Sequence, residues 1–325
     1  MAKILGIGNA LVDVLIRLEN DQILQDFSLP KGSMQLVNTD IVNKISTATK
    51  DIPSTLASGG SAANTIHGLA NLGVETGFIG TIGHDDFGNA FLNDLKQTNI
   101  EPKLFYSQQE TGRANTLISA DGERTFATFL GAAVELNGDD LTLDHFKDYD
   151  YLHIEGYLVF NHDLLIKAGK LAEQLGMTVS LDLASYNVVE ANLEFLKEFV
   201  STYVHIVFAN EEEAKAFTGK QPEEALNDIA EMVDIAIVKV GDKGSFIQKG
   251  DEIFNVPIVP VNCIDTTGAG DLYAAGFLYG FVNDFELNDC GYLGAILSGN
   301  VIEVIGAKMN QERWTSIKEA IHEIS

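Results

Sequence analysis

Basic residues are scarce in this 325-residue sequence, which has 21 Lys and Arg against 47 Asp and Glu and a formal net charge of −26. Surfaces that bind nucleic acid or anionic membranes need clustered Lys and Arg, so we expect neither as a partner. Long apolar runs are missing as well, since no stretch approaches the roughly 18 apolar residues of a membrane-spanning helix.

The cysteines and histidines show no pattern that indicates a disulfide or a metal site. The two cysteines, Cys263 and Cys290, lie in apolar contexts without Cys-x-x-Cys spacing, and we interpret them as reduced packing residues. The histidines show no zinc-binding pattern. The N-terminus lacks an apolar segment followed by a small-residue cleavage site, so we expect a cytoplasmic protein.

What the sequence does contain is an alternation of short β-branched runs and longer helical patterns, without repeats or linkers. This alternation predicts a single α/β domain over residues 1–325, with a mostly parallel sheet and helices on both faces. Functional residues should then follow the strands. The predicted strands are 4–8, 76–82, 151–155, 178–182, 206–209 and 235–240. The predicted helices are 61–72, 86–98, 161–175, 211–218 and 223–232.

Two segments break this alternation, residues 15–37 and 103–129, where the pattern is shorter and more polar. The pair Asp121-Gly122 is a strong hairpin signal. We predict that both segments form a small separate sheet, a lid over a cleft. The alternative is that they are edge strands of the main sheet.

The most informative stretch is Asp-Thr-Thr-Gly-Ala-Gly-Asp at residues 265–271. The sequence after it is apolar around its whole circumference and predicts a buried helix. Gly268, Ala269 and Gly270 would form the turn into that helix, where successive amides and the helix dipole create an anion site. Such a site needs no lysine, which suits a chain so short of positive charge.

Asp271 falls in the first turn of this helix, where its carboxylate could accept a proton from an attacking alcohol. Taken alone, a glycine turn with an aspartate at a helix start is equally compatible with a structural role. Neither a Walker A loop nor a complete dinucleotide fingerprint is present in the sequence.

The segment 265–271 resembles the C-terminal signature of the ribokinase-like (PfkB) carbohydrate and nucleoside kinases. Four further segments agree with it in order: 6–13, 59–64, 80–88 and 210–213. The resemblance covers essentially the whole chain. It implies a three-layer ribokinase-like core with a β-sheet lid, Asp271 as the catalytic base, and ATP and Mg²⁺ as cofactors.

The resemblance also assigns residues to an acceptor site. Asn9 and Asp13 follow the first strand, with Asp13 accepting hydrogen bonds from two hydroxyls. Gly60 lets the acceptor approach the backbone, and Asn64 can bind a hydroxyl. Read in isolation, Asp13 could be a turn residue, and the segment 59–64 an ordinary helix cap at Ser61.

Nucleotide and metal contacts are implied in the second half of the chain. Lys239, Gly241 and Gly244 resemble the nucleotide-contacting segment, and Asn300 lies on a helix that would flank the adenine. Asn210 and Glu213 would hold Mg²⁺ through water, although the same pair reads as a capping box.

Arg113 and Arg124 lie on the predicted lid, where either could reach the transferred phosphate. The alternative is that they are surface arginines.

The acceptor is not fixed by the catalytic motif. The long segment between Asp13 and Gly59 resembles the adenosine kinase branch, where Met34, Leu36 and Tyr157 match base-lining positions. We therefore expect a nucleoside, phosphorylated on its 5′-hydroxyl, with a sugar such as ribose or fructose as the alternative. A non-catalytic binding protein is a third reading, which the intact Asp271 disfavours. The oligomeric state, monomer or homodimer, is left open.

Overall fold

The computed structural model describes residues 2–324. Its strands are β1 (Lys3–Ile7), β2 (Leu11–Arg17), β3 (Met34–Leu36), β4 (Ser54–Gly59), β5 (Glu75–Gly83), β6 (Ile100–Ser107), β7 (Gly112–Ile118), β8 (Arg124–Phe129), β9 (Tyr151–Glu155), β10 (Thr178–Asp182), β11 (Ile206–Asn210), β12 (Ile235–Lys239), β13 (Ser245–Lys249) and β14 (Glu252–Val256). Its α-helices are α1 (Gln22–Asp26), α2 (Thr39–Ala48), α3 (Ser61–Leu72), α4 (Asp86–Gln97), α5 (Leu143–Phe146), α6 (His162–Leu175), α7 (Tyr186–Ala191), α8 (Leu193–Tyr203), α9 (Glu211–Thr218), α10 (Pro222–Ala230), α11 (Ala269–Val282), α12 (Leu287–Val301) and α13 (Gln311–Ile324).

Nine strands form one large sheet in the order β14-β13-β12-β11-β10-β9-β1-β5-β6. The strands from β12 to β6 run parallel, and β13 and β14 extend the sheet as an antiparallel hairpin. Apolar side chains on β1 and β9 to β12 are buried on both faces, as a covered parallel sheet requires. All six strands predicted from the sequence are present, within one residue at either end.

Helices cover both faces of this sheet and complete three layers. On one face, α5 to α10 bury residues such as Phe146, Phe199 and Phe217 against the strands. On the other face, α3, α4 and α11 to α13 bury Phe91 and Phe277. The predicted α/β class with helices on both faces is therefore confirmed.

A second, smaller sheet has the order β3-β8-β7-β2-β4. β7 and β8 form an antiparallel hairpin, whose turn contains Gly122 with a φ of 89°, as the Asp-Gly pair predicted. α1 and α2 pack against this sheet through Leu24 and Ile45.

The predicted limits of the small sheet need correction. Residues 103–107 belong to β6, which pairs in parallel with β5 at the edge of the large sheet. A strand at the edge of a sheet is less buried than an inner strand. Its sequence is therefore more polar, and this led to its assignment to the small sheet. The strand β4 pairs with β2 and lies outside both predicted segments.

The chain passes between the two sheets four times, each time over a few residues. The crossings are at residues 8–10, at Gly60, at residues 108–111 and at Leu130. Two glycines with positive φ lie at these junctions, Gly60 at 100° and Gly131 at 49°.

Among residues 2–324, no helix combines the length and apolar character needed to cross a bilayer. Both cysteines are free. Cys290 is buried on α12, as expected for a packing residue, but Cys263 is exposed, so that interpretation of Cys263 was wrong.

Candidate active site

A cavity of about 1800 Å³ opens at the carboxyl ends of the parallel strands, beneath the small sheet. Each of four adjacent strands contributes its last residue to the cavity wall: Glu155, Asp182, Asn210 and Lys239. Ligand sites of open α/β sheets lie at this edge. Since pockets for one small ligand measure about 300–1000 Å³, the cavity has room for two.

The helix α11 points its N-terminus into this cavity. Its N-cap is Gly268, with a φ of 77° that favours glycine. Gly268, Ala269 and Gly270 all line the cavity. The Ala269 amide, however, donates to the Thr266 carbonyl oxygen at 3.1 Å. That amide is engaged within the turn, so it does not serve as an anion donor in this arrangement.

Asp271 is fixed by two donors from α3. Ser61 Oγ donates to Oδ1 at 2.8 Å and Asn64 Nδ2 donates to Oδ2 at 2.9 Å. The two helices approach closely because α3 has glycine at the crossing: a Cβ on Gly68 would lie 2.7 Å from the Ala275 Cβ. Burial raises the pKa of Asp271 to about 6, with the Asn64 donor opposing the rise.

Asp13 lies on β2 of the small sheet and lines the same cavity. Its carboxylate lies against Gly59, where a Cβ would come within 2.6 Å of Oδ1. Burial raises the pKa of Asp13 to about 6, Lys308 opposes this rise, and Asp271 adds to it. The cavity therefore brings together the two carboxylates that the sequence placed at the acceptor site.

Glu155, which the sequence analysis did not select, is a buried carboxylate beside these groups. Asn9 Nδ2 donates to its Oε1 at 2.5 Å, and the Ala62 amide donates to Oε2 at 3.1 Å. Gly60 packs against both Asn9 and Glu155, and a Cβ at Gly60 would be 2.2 Å from the Asn9 carbonyl oxygen. Burial raises the pKa of Glu155 to about 7.

A second charged cluster follows β10, β11 and β12. Lys239 Nζ lies 3.2 Å from Asp182 Oδ2, and both side chains are largely buried. Asn210 and Glu213 form a complete capping box at the start of α9, with the Glu213 amide donating to Asn210 Oδ1 at 2.8 Å. Burial raises the pKa of Glu213, and Asp182 adds to the rise. Burial alone would lower the pKa of Lys239, but Asp182, Glu213 and Asp271 raise it.

A family model described as pfkB family carbohydrate kinase matches residues 47–313 of the chain. The chain belongs to the pfkB family. It is therefore a sugar or nucleoside kinase, a phosphotransferase with a hydroxyl group as acceptor. Kinases of the pfkB family use ATP and typically a divalent metal.

The relatives of this pfkB kinase are named for different acceptors. A nucleoside kinase of Methanocaldococcus jannaschii is 29% identical over 326 residues, covering 99% of this chain and 97% of its own. The structure of adenosine kinase from Sinorhizobium meliloti is similar with 33% identity and a TM-score of 0.87, covering 98% of this chain and 99% of its own. A probable sugar kinase from Rhizobium etli CFN 42 has 35% identity and a TM-score of 0.87, covering 98% of each chain. These structures confirm the ribokinase-like core with its second, smaller sheet.

Part of the lining of the pfkB cavity is apolar, and we call this part the apolar wall. Met34 and Leu36 of β3 line it, together with Tyr157, Val134 and Phe160. Met34 is 49% exposed, Leu36 65% and Phe160 69%, so these side chains face open space within the cavity. Met34 and Leu36 are therefore not core residues of the small sheet.

The remaining predicted nucleotide contacts divide into two groups. Gly241 and Gly244 line the cavity. Asn300 is not among the lining residues; its Oδ1 accepts from Arg313 Nη1 at 3.2 Å and its Nδ2 donates to Ile296. On the 3.6-residue period of α12, Asn300 faces α13 instead, and its neighbours Ser298 and Gly299 line the cavity.

Arg113 and Arg124 of the small sheet are neither surface residues nor part of the cavity lining. Arg113 is buried, pairs with Glu110 and lies over the Phe87 ring. Arg124 forms an ion pair with Asp265, which ties β8 to the turn before α11.

Sequence reasoning could have found Glu155 and Asp182, because each is a carboxylate that ends a predicted strand.

Proposed function

We propose that this pfkB kinase transfers the γ-phosphoryl group of ATP to the 5′-hydroxyl of a nucleoside. The observation that carries the proposal is the apolar wall formed by Met34, Leu36, Tyr157, Val134 and Phe160. Exposed apolar side chains inside a cavity favour a ligand with an apolar face. A purine base would cover this wall, whereas a free sugar would leave it in contact with water. The nucleoside and adenosine kinases among the relatives support the same acceptor.

The hydroxyl end of the acceptor would lie between Asp13 and Asp271. Asp13 would accept hydrogen bonds from the ribose hydroxyls, as an ionised carboxylate does. Asn64 uses its Nδ2 on Asp271, but its buried Oδ1 has no hydrogen-bond partner within residues 2–324. Buried acceptors are normally satisfied, so a ribose hydroxyl is a fitting donor. Glu155 and Asn9 would hold the backbone at Gly60 against the sugar.

Asp271 would accept the proton of the attacking 5′-hydroxyl late in the transfer. The free amides at Gly268 and Gly270 and the N-terminus of α11 would stabilise the charge on the phosphoryl oxygens. Alignment and electrostatic stabilisation account for most of the rate in phosphoryl transfer.

ATP would lie along the opposite half of the cavity. Gly241 and Gly244 offer backbone without side chains, and Lys239 Nζ would be 3.1 Å from a Cβ placed on Gly270. An ammonium at that point can contact both the phosphates and the turn before Asp271.

Mg²⁺ would be held near Glu213 and Asp182. Two buried carboxylates face the single ammonium of Lys239, so the cluster carries surplus negative charge that suits a hard cation. Both Glu213 oxygens already accept from Asn210, at 2.7 and 2.8 Å. Contact through water fits this arrangement, since Mg²⁺ keeps several waters.

A substrate panel tests the acceptor. With Mg·ATP, we expect adenosine or inosine to be phosphorylated with a kcat/KM about 100-fold above that for ribose or fructose, because only a nucleoside covers the apolar wall. ADP release would be measured together with identification of the product by ³¹P NMR. Turnover of ribose or fructose alone would reject the nucleoside proposal in favour of the sugar kinase.

The apolar wall can be tested directly with Met34→Ser and Leu36→Ser. Each change weakens contact with the base, and we expect the KM for the nucleoside to rise about 10-fold with little change in kcat, since one large apolar side chain contributes about 1.5–3 kcal/mol. Leu56→Ser is the matched control, because Leu56 is also 49% exposed on the small sheet but is not a cavity-lining residue. Equal effects of all three changes would refute the base-binding role.

The two acceptor carboxylates predict the acidic limb of the pH profile. Asp13 and Asp271 each have a pKa raised to about 6, and both must be ionised to act. We therefore expect kcat/KM for the acceptor to fall as the pH drops below about 6. The acidic limb of the profile would reflect the ionisation of both carboxylates together. Initial rates at saturating ATP between pH 5 and 9 would measure it; a limb near pH 4, where ordinary aspartates titrate, would contradict the burial argument.

A further inference from the structure

Lys308 lies in the connection between α12 and α13, and this connection is fastened to the turn before α11. The Gly306 amide donates to Asp265 Oδ2 at 2.5 Å. Ala307 lies so close to Gly268 that a Cβ on the glycine would be 2.6 Å from the Ala307 Cβ. The position of Lys308 is therefore fixed relative to the N-terminus of α11.

The ammonium of Lys308 is buried and has no hydrogen-bond partner among the described residues. The nearest carboxylate in an ion pair is Asp94, whose Oδ2 is 3.8 Å from Nζ. The same oxygen accepts a hydrogen bond from Ser58, whose neighbour Gly59 lies against the Asp13 carboxylate, so Lys308 and Asp13 lie on either side of one short stretch of β4. His67 Nε2 lies 4.0 Å from this oxygen. Burying an ammonium without hydrogen bonds costs free energy. This cost indicates that the charge of Lys308 interacts with other groups nearby.

The charged groups that face Lys308 come from three elements. Asp94 belongs to α4, Asp13 to β2 and Asp271 to α11, and all three carboxylates favour the protonated lysine. His67 of α3 is also close, but burial, and then Lys308, lower its pKa well below the ordinary value. One ammonium thus faces three carboxylates, two of which line the cavity.

Without a cation, Asp13 and Asp271 would repel each other in a shared buried site, and one of them would take up a proton. Burial lowers the pKa of Lys308 only to about 8, so the side chain is charged at neutral pH. Lys308 is not among the cavity-lining residues. It therefore acts on Asp13 and Asp271 from the side of these carboxylates that faces away from the cavity.

We propose that Lys308 is a positioning residue of the acceptor site, whose buried ammonium keeps the Asp13 carboxylate ionised and able to accept hydrogen bonds from the acceptor. The acceptor role of Asp13 rests on the proposed function. The electrostatic dependence of Asp13 on Lys308 can be measured without any substrate.

The first test is a ¹³C NMR titration of labelled aspartate carboxyls in the free protein, with Asp13 assigned through Asp13→Asn. Lys308→Met raises the pKa of Asp13 by about one pH unit or more, within the range for loss of a nearby opposite charge. Lys308→Arg leaves it in place. Lys220→Met, which removes an exposed lysine paired with Asp228, controls for the change in net charge. An unshifted Asp13 titration in Lys308→Met would overturn the proposal.

The second test is kinetic and uses the same variants. At pH 6.5, Lys308→Met raises the KM for the acceptor at least about 3-fold, which is the loss of ionised Asp13 that a rise in its pKa of one pH unit from about 6 produces, and the defect shrinks by pH 8.5 as Asp13 ionises again. The KM for ATP stays unchanged, and Lys308→Arg restores the acceptor KM. A defect that is the same at every pH would indicate a structural role only.

The double variant Asp94→Asn/Lys308→Met separates Asp13 from Asp94. If Lys308 served only to neutralise Asp94, removing both charges would restore the wild-type profile and defeat the proposal. We expect the double variant to keep the raised pKa of Asp13. Should the wild-type enzyme phosphorylate neither nucleosides nor sugars, the proposed function would fail, while the NMR titration would still decide the role of Lys308.

Discussion

Asp271→Asn is expected to lower kcat by about 10²–10⁴-fold, the range that a general base contributes, while the binding of ATP and acceptor changes little. The asparagine is isosteric and keeps its place on α11. The new amide can keep its oxygen toward Asn64 Nδ2 and donate its NH₂ group to the Ser61 hydroxyl, which can rotate, so both contacts with α3 survive and Asn64 Oδ1 stays available to the acceptor. Single-turnover rates and binding isotherms would separate the loss of chemistry from the loss of affinity.

Asp163→Asn is the matched control for this experiment. Asp163 also lines the cavity, at the start of α6, but belongs to neither carboxylate cluster. We expect its kcat to stay within about threefold of wild type, as for surface substitutions away from special features. If Asp271→Asn retained more than about a tenth of wild-type kcat, the assignment of Asp271 as base would have to be abandoned.

Gly60→Ala is expected to damage both stability and acceptor binding. The φ of 100° at Gly60 is unfavourable for alanine and costs about 1–3 kcal/mol. In addition, the new Cβ would lie 2.2 Å from the Asn9 carbonyl oxygen, so the backbone must shift. We expect the Tm to fall by about 6 °C or more, at about 2–4 °C per kcal/mol, and the acceptor KM to rise about 10- to 100-fold through displacement of Asn9 and Glu155.

Gly73→Ala separates the two causes. Gly73 has a similar φ of 96°, but a Cβ there would have nothing within 4 Å. This variant carries the backbone strain alone, so it should lower the Tm by only a few degrees and leave the acceptor KM unchanged. Equal losses in the two variants would show that the contact with Asn9 does not matter.

The sequence predicted the inner strands well because a covered parallel strand is apolar on both faces, and few other elements produce such runs. It failed at β6, an edge strand whose central residues are only partly buried, so that the strand lacks a continuous apolar run. β4 was missed for the same kind of reason: it is mostly exposed at the edge of the small sheet. Periodicity reports burial, and strands at a sheet edge bury too little to stand out.

The candidate site was predictable where a residue belongs to a continuous motif. Asp271 and Asn64 face each other across 207 positions of sequence, yet each was identified from its own local pattern. Lys308 carries no such pattern. Its proximity to Asp13 and Asp271 arises from the packing of a loop against the turn at Gly268, and no property of the neighbouring sequence indicates it. Asn300 illustrates the converse error, since its place on the correct helix did not fix the face to which it points.

The four short crossings all lie at one end of the small sheet, and Asn9, Gly60 and Leu130 lie on them. Leu36 of β3 is paired with Thr128, two residues from the crossing at Leu130, whereas the β7–β8 turn at Gly122 lies at the opposite end of the sheet. The side chains of β3 are therefore anchored close to the connections that also hold the end of the cavity near Asp271. The spacing between the apolar wall and the reacting groups is thus set by a few connecting residues, and a change at any of them would alter the length of acceptor that fits.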